Sequence, residues 1–277
     1  LTVSGWIKIL MLWMILIYFP VAHWVWGGGF LSKLGFVDFA GGAVIHITSG
    51  FGCLCGIYVL GERKFKNEHG PFNIGLVAIG AALLLFGWYG FNSGGTIAAA
   101  DIAAIVFTNT GVAAAVGMIV WIIVYSLHAK KASFLEAIVG AVAGLATITP
   151  ASGYVTPISA VIIGAIGAFI CFFCVEFERK MWDDALDVWG VHGMGGLIGT
   201  LLIGVFADPR INGINAGVKQ FFIQLLGCVI IGIYSILMTF LIFKIIDMVK
   251  SIKVSEEIQA RGLDEEFFNE KYETKHE

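Results

Sequence analysis

The chain has 277 residues, of which 58% are hydrophobic and 13% charged, against roughly 45–50% apolar residues in a soluble globular domain. Water is therefore excluded as its main solvent. The formal charge of −3 is accounted for by residues 250–277, which hold five Lys/Arg and eight Asp/Glu. No basic stripe exists to neutralise phosphates, which excludes nucleic acid as a partner.

Eight apolar stretches follow one another, at about 5–26, 40–61, 74–92, 98–126, 134–152, 156–175, 188–207 and 220–248. Each approaches the roughly 20 residues that cross a hydrocarbon layer. Lipid offers no partners to free amides and carbonyls, so each should be a helix that satisfies its own backbone. The fold class expected is all-α, a polytopic transmembrane helical bundle in a lipid bilayer, and 36 glycines allow its helices to approach closely. The division expected is a membrane domain at 1–249 and a tail at 250–277. Of 17 Lys/Arg, only Lys33, Arg210 and Lys219 fall on one set of loops. The crowded side, with Lys8, Arg63, Lys64, Lys66, Lys130, Lys131, Arg179, Lys180 and the tail, is expected to be cytoplasmic.

Along the chain, Trp26 ends the first span in AHWVWGGG. The second opens as DFAGGAVIH, placing Asp38 and the Gly41–Gly42 pair ahead of His46. The third ends in FGWYGFNSGG, with Trp88, Tyr89 and Phe91. Such aromatics serve equally as an interfacial girdle or as a vestibule of π faces for a small cation. All five cysteines lie inside apolar spans. Cys171 and Cys174 form a CxxC, but with no His ligand or second pair beside them they read as packing, with no metal and no cofactor expected. The seventh span opens as DVWGVH, with Asp187 and Gly190 ahead of His192. A titratable side chain inside a membrane is costly and marks function or interhelical bonding. One buried His is as well explained by a carbonyl partner as by function. Two in matched contexts, on spans running in opposite directions, point to an inverted repeat with a site between its halves.

Together these segments, with AAADIAAIVFTNTGVAAAV, ITPASGYVTP, DDALDVWGVHGMGGLIGTLLIGVFA and the tail's VSEEIQARGLD, resemble the ammonium transporter (Amt/MEP) family, with Rh proteins as more distant relatives. The resemblance implies the ammonium transporter fold, a homotrimer of eleven-helix subunits with an inverted five-plus-five repeat and a pore in each. It implies that ammonium, or methylammonium as its analogue, is recruited at an outer aromatic site, loses its proton, and passes as ammonia between twin histidines. On that matching, His46 and His192 are the pore pair, and Trp26 and Phe91 belong to the recruitment site and a gate ring. Trp88 and Thr149 lie near vestibule and pore, and Asp38 is the buried acid. Asp187 stands in the corresponding place before His192. The implied setting is a multi-pass protein of the cell membrane with a cytoplasmic C-terminus, a transporter and not an enzyme, with a P-II signalling protein as a tail partner.

Three departures from the pattern stand out. The family has three helices before AHWVWGGG, so eight of eleven are expected here and the chain reads as an N-terminally truncated record. Gly95 stands where many relatives have a recruitment-site serine, leaving Ser93 or Thr96 to supply the hydroxyl. The tail keeps Gly262 to Asp264 but continues EEFFNEKYE where relatives have a His-Gly pair. The rival readings are an ammonium sensor, a Rh-like channel for neutral gas, and a membrane cytochrome with histidine-ligated haem. The single deep His pair argues against the last.

Overall fold

A computed structural model of the chain describes residues 1–64, 71 and 73–270. Each expected span lies on a helix. The first, α1, runs from Val3–Trp13 through a π turn at Met14–Tyr18 into Phe19–Val25. It is followed by α2 (Gly42–Leu60), α3 (Ile74–Gly94), α4 (Asp101–Ala129), α5 (Phe134–Ile148), α6 (Pro157–Met181), α7 (Trp189–Phe206) and α8 (Val218–Val249). Helix starts carry the side-chain caps that helix ends require: Asn73 accepts from Leu76 N–H, Ser133 from Glu136 N–H and Thr156 from Ser159 N–H.

The fifth span departs from expectation. α5 has 15 residues, about 22 Å of rise against the roughly 30 Å of a bilayer core. Pro150 follows its end, and residues 151–155 continue the apolar stretch as turns that are mostly buried. Irregular backbone at membrane depth is tolerated only inside protein, with its polar groups satisfied. Here the Asn109 amide of α4 supplies them, donating to the carbonyls of Ser152 at 2.8 Å and Val155 at 2.7 Å.

α2 and α7 form the centre, 50% and 56% buried, whereas α3 is 6% buried along its apolar window. They cross at Gly50 and Gly193, where a Cβ on Gly50 would lie 2.3 Å from the Gly193 Cα. Only the absence of side chains lets the two backbones approach so closely. Cys171 packs in the core between α6 and α7. At one end of the bundle, Arg63 pairs with Asp183, Arg179 with Asp187 and Glu136, and Lys64 with Glu256 at the start of the short tail helix Glu256–Arg261. Of the basic groups named for that side, Lys64 thus meets the tail directly. Lys66 and residues 271–277 lie outside the described residues.

Candidate functional site

The local structure at each histidine is built by carboxylates. Asp38 is buried, and its two oxygens accept four consecutive N–H groups: Gly41 at 2.9 Å, Gly42 at 2.8 Å, Ala43 at 2.7 Å and Val44 at 3.0 Å. These are the donors that a helix start leaves without partners. Gly41, at φ 113°, turns the chain so that they converge on one side chain. Burial pushes the Asp38 carboxyl above the usual carboxylate range, with the four donors opposing that shift. The helix then opens with a π turn, Gly42–Ile47, that carries His46. π turns leave spare carbonyls, and side chains collect them: Thr48 Oγ1 donates to Val44 O at 2.7 Å, Ser49 Oγ to His46 O at 3.2 Å.

The second half repeats this plan. α7 opens with the π turn Trp189–Gly193, which carries His192. Its start is held by Asp184, which accepts from Val188 N–H at 2.8 Å and Trp189 N–H at 3.2 Å, and by Glu178 of α6, which accepts from Gly190 N–H at 2.5 Å. Asp184 precedes His192 by eight residues, the same interval as from Asp38 to His46. Asp187, the acid matched to Asp38 on sequence, does a different task. It forms a two-contact pair with Arg179, at 2.6 and 3.0 Å, and its left-handed backbone (φ 54°) turns the chain into α7.

The two histidines, which lie roughly 9 and 6 Å from opposite faces by residue count, meet. Their Nδ1 atoms are 3.2 Å apart and their rings stack at 5.1 Å and 24°. Hydrogen bonding Nδ1 to Nδ1 makes one imidazole the donor and the other the acceptor, so their outward Nε2 atoms are complementary. His46 Nε2 is buried with no protein partner. Trp88 stacks on His46 at 5.3 Å, and its indole N–H donates to Thr149 Oγ1 at 2.9 Å. Thr149 is buried and donates in turn to Leu145 O at 2.7 Å, so it fixes the Trp88 ring. A cavity of about 580 Å³ runs past His46, His192, Trp88, Ser49 and Phe91.

On the far side of Phe91 lies a second cavity, about 660 Å³, lined by Trp26, Asp38, Gly95 and Tyr154 among others. Phe91 and Ile45 line both cavities and so form the partition between them. The Trp26 indole donates to Asp38 O at 2.7 Å, tying that ring to the start of the His46 helix. Gly95 brings no hydroxyl to this cavity, and neither suggested substitute does. Ser93 Oγ is buried without a partner, and Ser93 lines a separate space beside Tyr89 and Phe107. The Thr96 hydroxyl donates to the carbonyls of Ser93 and Ala98. Hydroxyl-bearing side chains in the outer cavity come from Tyr18, Ser32 and Tyr154, the last seated edge-on against Phe39 at 5.6 Å.

Sequence reading thus missed Asp184, Glu178 and Tyr154. The eight-residue interval was a usable signal for Asp184. None existed for Glu178, which reaches α7 from another helix.

A model of the Ammonium Transporter Family matches residues 1–272. The ammonium transporter of Aquifex aeolicus is 42% identical over 97% of this chain and 64% of its own length. The ammonium transporter Amt1 of Archaeoglobus fulgidus is 42% identical over 95% of this chain and 68% of its own. Among solved structures, Mep2 of Candida albicans superposes with a TM-score of 0.86 at 34% identity, covering 92% of this chain and 61% of that one. A structure described as a sensor Amt protein superposes at 0.81 with 32% identity. The chain spans about two thirds of the length of such relatives.

Proposed function

The chain belongs to the ammonium transporter family, and from that premise we propose that it forms the pore of a transporter that recruits ammonium, removes its proton and conducts ammonia past His46 and His192. One observation carries the reading: two stacked imidazoles in Nδ1–Nδ1 contact at 3.2 Å border a cavity separated from an outer, aromatic-lined one by Phe91.

Ammonium must shed a tightly held water shell to pass an apolar constriction, and a neutral amine need not. Trp26, Phe91 and the Tyr154 phenol offer π faces and a polar atom to the arriving cation, with each cation–π contact worth about 0.5–2 kcal/mol. Asp38 holds the backbone of this vestibule in place, and its carboxyl supplies local negative potential. Beyond Phe91 the imidazole pair presents one acceptor and one donor, which suits an amine that both gives and takes hydrogen bonds. A potassium ion cannot lose a proton and so has no corresponding neutral form.

The same reading places residues 1–249 in the cell membrane and the tail at 250–277 on the cytoplasmic side, where the basic loops gather. A homotrimer and a P-II signalling protein at the tail complete it. The test is methylammonium uptake with potassium leakage measured alongside. His46→Ala and His192→Ala should each abolish ammonium-selective flux, and retention of both flux and selectivity in either variant would reject the reading.

A further inference from the structure

The turn that carries His192 is capped by two carboxyl groups where the turn that carries His46 has one. Asp184 Oδ2 serves Val188 and Trp189, and Glu178 Oε2 serves Gly190, three consecutive N–H groups. The carboxyls therefore cap adjoining N–H groups of one turn, Trp189 and Gly190, and lie side by side there. Glu178 is fully buried, and its other oxygen, Oε1, has no donor. Arg179, adjacent in sequence, is committed to Asp187 and Glu136, and Arg63 to Asp183. Gly190 is required for the approach, since a Cβ there would lie 2.6 Å from Glu178 Oε2.

Two adjoining carboxylates, one of them fully buried and neither in an ion pair with a described cation other than those named, repel one another when both are ionised, which favours a proton kept on the buried Glu178. A buried anionic oxygen without a donor is costly, and the same oxygen bearing a proton becomes a donor to its neighbour. We propose that Glu178 and Asp184 bind one exchangeable proton between them at neutral pH, forming a titratable site at the base of the turn that carries His192. Binding makes one O–H bond, with the proton taken from solvent and no other bond changed. Among the described residues, the other titratable or charged groups facing the pair are Cys53 of α2, whose thiol lies 3.6 Å from Asp184 Oδ2, Cys174 of α6, Asp187, His192 and Arg63. Proton uptake changes which N–H bonds the pair accepts most strongly, and so adjusts the turn that sets His192 against His46.

The test is infrared difference spectroscopy of the purified protein in lipid nanodiscs, titrated with pH and exchanged into D₂O. The wild type should show a carboxylic-acid C=O band that shifts on deuteration and disappears as pH rises. Glu178→Gln, which keeps an oxygen for Gly190 and offers an amide donor to Asp184, should lose that one titrating band while remaining folded. Asp184→Asn provides the same test from the other side and carries it alone if Glu178→Gln does not fold. An identical titrating band in both variants, or no such band in the wild type, overturns the proposal. Its consequence for permeation rests on the transport reading: uptake in Glu178→Gln should lose the pH dependence that tracks the band. His46→Ala should keep the band whatever becomes of flux, so the two ideas fail separately.

Discussion

The two halves of the site solve one problem with different chemistry. Both must start a helix inside the protein, hold a π turn, and present an imidazole at the same point. At His46 a single carboxyl, Asp38, takes four N–H groups. At His192 the work is divided between Asp184 in the preceding loop and Glu178 on a neighbouring helix. The first arrangement is local and all its stakes rest on one residue. The second ties the turn to α6, spreads the loss, and brings two acids together in one place.

The largest effect should come from removing the sole cap. Asp38→Ala leaves four buried donors, each costing about 1–3 kcal/mol, and should prevent recovery of folded protein or collapse the melting transition in detergent. Asp184→Ala should cost only about 1–2 kcal/mol, because Glu178 still holds Gly190 and Asp184 is partly exposed. Equal losses in the two variants would refute the asymmetry. Gly190→Ala comes next, at about 1–3 kcal/mol, since the new methyl meets both the Glu178 carboxyl and Val175 at 2.6 Å. It should weaken the His192 half alone, visible as altered histidine NMR signals.

Thr149→Val tests the ring stacked on the pair. It removes the partner of the Trp88 indole, costs about 1 kcal/mol, and should shift Trp88 fluorescence while leaving α2 and α7 intact. The smallest change is Gly95→Ser. The added Cβ sits 3.1 Å from Phe39 and from the Asn92 carbonyl, a contact that a small shift relieves. The hydroxyl should lower the half-saturating methylammonium concentration by a few-fold without affecting stability.

Much of this was legible in the residues because bilayer solvation leaves few choices. Apolar runs of fixed length must be helices, and costly histidines inside them must have a reason. The chain itself therefore settled the eight helices, the two deep histidines and the aromatic clusters around them. It carried the fifth span to about 152 where α5 ends at Ile148, because hydropathy does not mark where a helix gives way to a buried turn whose carbonyls Asn109 satisfies. It placed Asp187 where Asp184 belongs, because an acid's neighbours in sequence do not say which way its side chain faces.

Tertiary structure alone decided that the histidines touch, that Phe91 divides two cavities, and that Glu178 joins the turn at His192. These are relations between helices. Hydropathy records how each segment meets lipid, whereas a contact across the bundle depends on where glycines such as Gly50 and Gly193 let two backbones close together, and that appears only once the helices are packed.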